Sequence, residues 1–235
     1  MPLKAERPKK WFVWTEVGVT LWLYSLLSTL FIAVPPFAAP ALGFHLNLRQ
    51  GMCVTLAGVL ISEALVFAGL ALWLRRRSVS LRSLGFIRPV RWSPVGMVIL
   101  FSLAYAGFTL AIPDVRSHAG EVSVFKAWGV FVSVIAAFVE ETVFRGFILA
   151  ELERVRSSTW VQVIVSGFAF GLLHLGFSWG GIVCTTLMGM VLAITYLWSG
   201  RSLIAPLVGH CLINIIVEPW LLVYVITSYA RIFSK

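Results

Sequence analysis

Apolar runs of 18–27 residues recur along this chain, and the short stretches between them hold nearly all of its charge. The runs fall at about 11–34, 52–74, 93–112, 124–150, 160–178, 181–198 and 203–228. A helix rises about 1.5 Å per residue, so each run is long enough to cross roughly 30 Å of hydrocarbon. Pro35-Pro36, Pro89, Pro113, Gly180-Gly181 and Gly200 punctuate the intervals, as chain breakers do. Composition agrees: the 235 residues are 59% hydrophobic and 12% charged, whereas soluble domains run near 45–50% apolar and about 25% charged, roughly twice the charge. The expected fold class is all-α, a polytopic membrane helical bundle of about seven transmembrane helices. Residues 1–235 form a single membrane domain, with N-terminal spans over about 1–120 and a core over 124–217.

The net charge of +9 does not point to nucleic acid, since no soluble basic-aromatic module accompanies it. The basic residues instead sort the loops into two sides. Arg75, Arg76, Arg77, Arg82, Arg88 and Arg91 share one interval, Arg154 and Arg156 another, and Arg201 a third. The alternate intervals hold Arg49, then a mixed set of Asp114, Arg116, Glu121 and Lys126. Positive loops stay on the cytoplasmic side, so the N-terminus is expected inside, and an odd number of spans puts Arg231 and Lys235 outside. An eighth span would return that tail to the cytoplasm. Lys4, Arg7, Lys9 and Lys10 precede the first run, as in a signal peptide. The run is about 24 residues, longer than a signal core, and is expected to be an uncleaved membrane helix. Cys53, Cys184 and Cys211 form no C-x-x-C pair and are expected as buried free thiols.

Within the fourth run stand Glu140, Glu141 and Arg145. An ionised side chain at the centre of a bilayer costs about 2.5–3.5 kcal/mol on the lowest scales, so such residues mark functional sites. Glu141 and Arg145 are four apart, stack on one helical face, and are suited to an ion pair. Glu140 lies about 100° around the helix, where it can face a central polar cavity and act as a general base. Phe170 and His174 share a face on the next run, and His210 and Asn214 share a face on the last. Imidazole and amide groups can donate hydrogen bonds to an oxyanion forming on a carbonyl under attack. No serine or cysteine stands in a nucleophile motif, so hydrolysis by activated water is the expected chemistry. Glu, Glu, His and His are also ordinary zinc ligands. There is no H-E-x-x-H, however, and Arg145 would repel a cation, so no metal or other cofactor is expected. Glu16, Glu63 and Glu218 also fall within apolar runs, and Glu218 shares the face of His210; structural roles fit them as well as functional ones. His45 and His118 lie in loops.

Together, Glu140-Glu141-x-x-x-Arg145, Phe170-x-x-x-His174 and His210-x-x-x-Asn214 resemble the type II CAAX prenyl endopeptidase family, also called the CPBP or ABI family of intramembrane glutamic peptidases. The resemblance covers residues from about 124 to 217, with a familiar Ser83-Leu84-Gly85-Phe86 stretch before the third run. It implies an all-helical fold with a cavity open to membrane and cytoplasm. It implies that Glu140 activates the water, supported by Glu141 and Arg145, and that His174 contacts the water or the substrate. His210 and Asn214 would form the oxyanion site and Phe170 would line the substrate. The implied substrate is a membrane-associated protein or peptide, CaaX-like or other, cut near its C-terminus. The alternative on the same scaffold is a non-catalytic peptide-binding or bacteriocin-immunity protein. Brevity fits the family's bacterial and archaeal members, and so the cytoplasmic membrane of a prokaryote. The sequence is silent on oligomeric state.

Overall fold

The structure is a computed structural model that describes residues 9–174 and 179–224. The basic residues before Lys9, the tail with Arg231 and Lys235, and the ends of the fifth and seventh runs at 175–178 and 225–228 lie outside the described residues.

Every regular element among the described residues is helical. Five helices are long and apolar enough to cross a membrane: α1 (Lys10–Ile32), α2 (Leu48–Arg76), α3 (Trp92–Thr109), α4 (Val124–Arg154) and α6 (Trp179–Trp198). Two shorter apolar helices complete about seven transmembrane helices: α5 (Thr159–Leu173) and α7 (Ile204–Val217). The chain is an integral membrane protein, and its large exposed side chains, such as Leu100, Phe108 and Trp22, fit a lipid-facing perimeter.

Local chemistry explains where the helices begin. Asn47 caps α2 through the Gln50 N–H, and the Gln50 side chain reciprocates to the Asn47 N–H, a capping box. Ser123 caps α4 through the Lys126 N–H, and Ser158 caps α5 through the Val161 N–H. Two boundaries differ from the hydropathy runs. The third run extends to 112, but α3 stops at Thr109 and a short helix, Pro113–His118, begins with its proline at the first position. The seventh run extends to 228, but α7 stops at Val217. Pro219 lacks a donor and forces its predecessor out of the helical region, so Glu218 is extended (φ −88°, ψ 154°). Hydropathy cannot register that break, because the residues on both sides are apolar.

The loops segregate as the arginine pattern requires. Arg77 pairs with Glu16 of α1 and stacks on Trp73. Arg201 bonds Gln162 and Glu153, and the Leu203 N–H donates to the Gly85 carbonyl at 3.2 Å. The starts of α1, α5 and α7 and the 77–91 loop therefore share one end. At the other end Arg49 pairs with Glu121, and His118 stacks on Trp220 at 4.2 Å. Cys53 is exposed rather than buried, on the outer face of α2, while Cys184 and Cys211 are half-buried; all three are free thiols.

Between the two ends, α4 is the most buried span and α1 the least. Helices α2, α5, α6 and α7 all contact α4 or its widened turn, so whatever α4 projects inward is enclosed on several sides.

Candidate active site

Helix α4 changes pitch at the site. Val124–Glu141 is regular α-helix, Thr142–Ile148 is π-helical, and Leu149–Arg154 is α-helical again. A π-helical stretch widens the turn and breaks the i→i−4 pattern, and such segments cluster at functional sites. Here Ser166 of α5 donates to the Phe144 carbonyl inside the widened turns at 3.2 Å. The segment is buried throughout, so its neighbours hold it in place.

Glu141 and Arg145 stand at and just beyond the start of that segment, and both are 0% exposed. Arg145 Nη1 donates to Glu141 Oε1 at 2.9 Å, and Nη2 donates to the Gly189 carbonyl of α6 at 2.9 Å. The guanidinium lies over the Phe170 ring at 4.8 Å, a contact that is strengthened by desolvation. Gly189 admits this approach because it has no side chain: a Cβ there would sit 3.0 Å from both Gly167 Cα and Phe170 Cβ. Glu141 Oε2 and Arg145 Nε are buried without a hydrogen-bond partner among the described residues.

His210 arrives from α7 between the two glutamates. Its Nδ1 is 2.9 Å from Glu141 Oε1, and its Nε2 is 3.6 Å from Glu140 Oε2. Glu141 is already the ion-pair acceptor of Arg145, so it accepts from His210 as well, which puts the imidazole proton on Nδ1. The Phe170 ring meets His210 edge-on at 5.6 Å.

The remaining members sit at the more open side. Glu140 is 9% exposed, while His174 and Asn214 are half-buried. His174 Nδ1 lies 2.8 Å from the Phe170 carbonyl, which can only accept, so that nitrogen also carries its proton. Asn214 Nδ2 donates to the Ser133 carbonyl of α4 at 2.8 Å. The amide is thus tied to the helix that bears the glutamates, with one of its two N–H groups so used.

The six polar residues singled out in the sequence therefore belong to one cluster drawn from α4, α5 and α7. Phe170, expected to line a substrate, is 1% exposed. Its ring is instead the floor on which Arg145, His174 and His210 rest. Gly189 and Ser133 are new members, and neither carries a sequence signal because both act through backbone carbonyls. Glu218 does not bond to any of the six; its hydrogen bond is to the backbone of Leu222. Among the described residues, no group of three or more His, Cys, Asp or Glu side chains is arranged to hold a metal ion. A cavity of about 650 Å³ at the arginine-rich end is lined by Trp73, Arg77, Phe147 and Arg154, among others. A second, of about 320 Å³ at the opposite end, is lined by Arg49, His118 and Trp220, among others. Neither is lined by a member of the cluster.

No curated protein and no solved structure matches the chain. A family model does: residues 122–216 match that of the type II CAAX prenyl endopeptidases, Rce1-like. Those residues include every polar side chain of the cluster and Gly189 and Ser133 besides. Over residues 122–216, less than half of its length, this integral membrane protein is therefore similar to the type II CAAX prenyl endopeptidase, Rce1-like, family.

Proposed function

We propose that the chain is an intramembrane glutamic endopeptidase, with Glu140 as the base that activates water. One observation carries this reading: the two adjacent buried glutamates are held differently. Glu141 is 0% exposed and fixed by Arg145 and His210, whereas Glu140 is 9% exposed and makes no ion pair with Arg145. A carboxylate locked in three-way pairing is a poor proton carrier; its neighbour on the open side is suited to the task.

In the proposed reaction Glu140 takes a proton from water as the water oxygen attacks the scissile carbonyl carbon. The resulting oxyanion is met by the second N–H of Asn214 and by an Nε2–H of His210, whose ring then carries a proton on each nitrogen, with Nδ1–H still on Glu141; His174 touches the attacking water or the substrate. Collapse of the tetrahedral intermediate breaks the C–N bond, and the proton held by Glu140 passes to the departing amine. The acid so formed gives up its remaining proton to the amine, so the products are a carboxylate and an ammonium group, and Glu140 is again ionised. Glu141, Arg145 and Phe170 position the imidazole of His210 and touch no reacting atom. The step uses only side chains of this chain and water, and no metal is assigned to it. The substrate is a membrane-associated protein or peptide cut near its C-terminus, CaaX-like or other.

The test is a survey of protein C-termini in membranes of cells making the wild-type chain or its Glu140→Gln variant, at equal levels of folded protein. A short set of proteins that keep extra C-terminal residues only with the variant is the expected result. Identical termini would sink the proposal.

A further inference from the structure

The helices outside the family match also reach the cluster. Tyr24 of α1 and Glu63 of α2 are 1% and 2% exposed, and they are bonded to each other. The Tyr24 hydroxyl lies 2.7 Å from Glu63 Oε1 and 2.6 Å from Glu63 Oε2. Its ring stacks on Phe144, in the widened turn of α4, at 6.0 Å. Phe144 in turn meets Phe170 edge-on at 5.4 Å. The pair is also within electrostatic reach of the glutamates: Glu63 acts on Glu140, and both Glu140 and Glu141 act on Tyr24.

A hydroxyl has one proton, and an ionised carboxylate has none to give. Were Glu63 ionised, Tyr24 would satisfy one of the two short contacts and share or forfeit the other. A carboxylic acid satisfies both: the phenol donates to one oxygen, and the acid proton on the other oxygen donates back to the phenol. The charge balance runs the same way. The groups around this point are the carboxyls of Glu63, Glu140 and Glu141, the phenol of Tyr24, the imidazole of His210 and a single guanidinium, Arg145. Arg145 is spent on Glu141. Two further negative charges in this buried region would repel each other with only His210, beside Glu140, left to offset them.

Taking the reading of Glu140 as the base, we propose that Glu63 is a third carboxyl group of the site, a neutral acid in its buried position with Tyr24 as its hydrogen-bond partner. It acts as a positioning residue: its neutrality leaves Glu140 as the one carboxyl free to gain and lose a proton in turnover. The N-terminal half of the chain would then contribute to the chemistry and not only to the membrane anchor.

Infrared spectroscopy of the full-length chain in detergent micelles, at neutral pH, tests this without any substrate. The wild type should show the carbonyl stretch of a buried carboxylic acid. Glu63→Gln should remove one acid's worth of that intensity, and Glu140→Gln should leave that component in place. Tyr24→Phe should move the component to higher frequency, because its carbonyl loses a hydrogen bond. Undiminished acid intensity in Glu63→Gln would overturn the proposal. Should that variant fail to fold, an unmoved band in Tyr24→Phe would overturn it equally. The spectra do not depend on proteolysis. Loss of the band in Glu63→Gln with identical C-termini in the survey above would therefore sink the protease and leave Glu63 neutral; intact processing with an undiminished band would do the reverse.

Discussion

Arg145 neutralises one of two adjacent carboxylates, bridges α4 to α6, and rests on an aromatic ring, all without contact with solvent. Removing one partner of a buried pair leaves the other charge stranded, which typically costs about 3–5 kcal/mol. Arg145→Met should therefore lower the thermal unfolding midpoint in detergent sharply. Arg145→Lys should recover only part of it, because an ammonium lacks the planar fork that reaches Glu141 and Gly189 together. An unchanged midpoint in Arg145→Met would show that the pair contributes nothing to stability. Glu140 should behave in the opposite way. It makes no ion pair with Arg145, so Glu140→Gln should leave the midpoint closer to wild type than Arg145→Met while abolishing processing. A general base is worth about 10²–10⁴-fold in rate, so a variant that kept full processing would remove Glu140 from the mechanism. The same contrast explains what was legible at this scale. Charged residues in an apolar run announce themselves, and the four-residue spacing of Glu141 and Arg145 gave their pairing directly. Tyr24 gave no signal: a tyrosine in a membrane helix is ordinary, and its partner Glu63 is 39 positions away.

At the scale of elements, the close approach of α5 to α6 decides whether Arg145 can reach its backbone acceptor. Gly167 and Gly189 face each other there. Gly189→Ala would place a methyl group 3.0 Å from Gly167 Cα and Phe170 Cβ, and neither of these can swing away. Overpacking of this kind costs about 1–3 kcal/mol, and it should also part Arg145 from the Gly189 carbonyl. Gly18→Ala is the matched control, since nothing lies within 4 Å of a Cβ at that position; removing a helix-interior glycine should stabilise it by up to about 1 kcal/mol. Thermal unfolding of the two variants side by side checks both signs, and equal midpoints would refute the packing argument. The positions of the helices were readable from hydropathy because lipid imposes a minimum length on every span. Their internal irregularities were not. The π-helical turns at Thr142–Ile148 have the same apolar composition as the α-helical turns around them, and only the packing of α5 against the Phe144 carbonyl distinguishes them. Likewise, the place of the Phe170 ring beneath both imidazoles is visible only in three dimensions.

For the molecule as a whole, charge and connectivity make a joint statement about sidedness. Loops separated widely in sequence meet at one end: 77–91 bonds to 199–203, and α1 joins them through Glu16 and Arg77. That end carries Arg75, Arg76, Arg77, Arg82, Arg88, Arg91, Arg154, Arg156 and Arg201, while the other carries Arg49, Arg116 and Lys126 with Asp114 and Glu121. Moving the first set across a membrane would oppose both the membrane potential and the insertion bias, so a cytoplasmic place for that set is the outcome expected of a labelling experiment. Because the helices lock these loops together, a single reporter at each end fixes the orientation of the entire bundle. In a background lacking Cys53, Cys184 and Cys211, Ser80→Cys should be shielded from a membrane-impermeant maleimide added to intact cells. It should react once the inner face is opened. Gly120→Cys, exposed and with open space around it, should react in intact cells. The reverse pattern would invert the orientation and place the 650 Å³ cavity beside Arg77 and Arg154 on the outer face. A search for processed C-termini would then move from cytoplasmic proteins to exported ones.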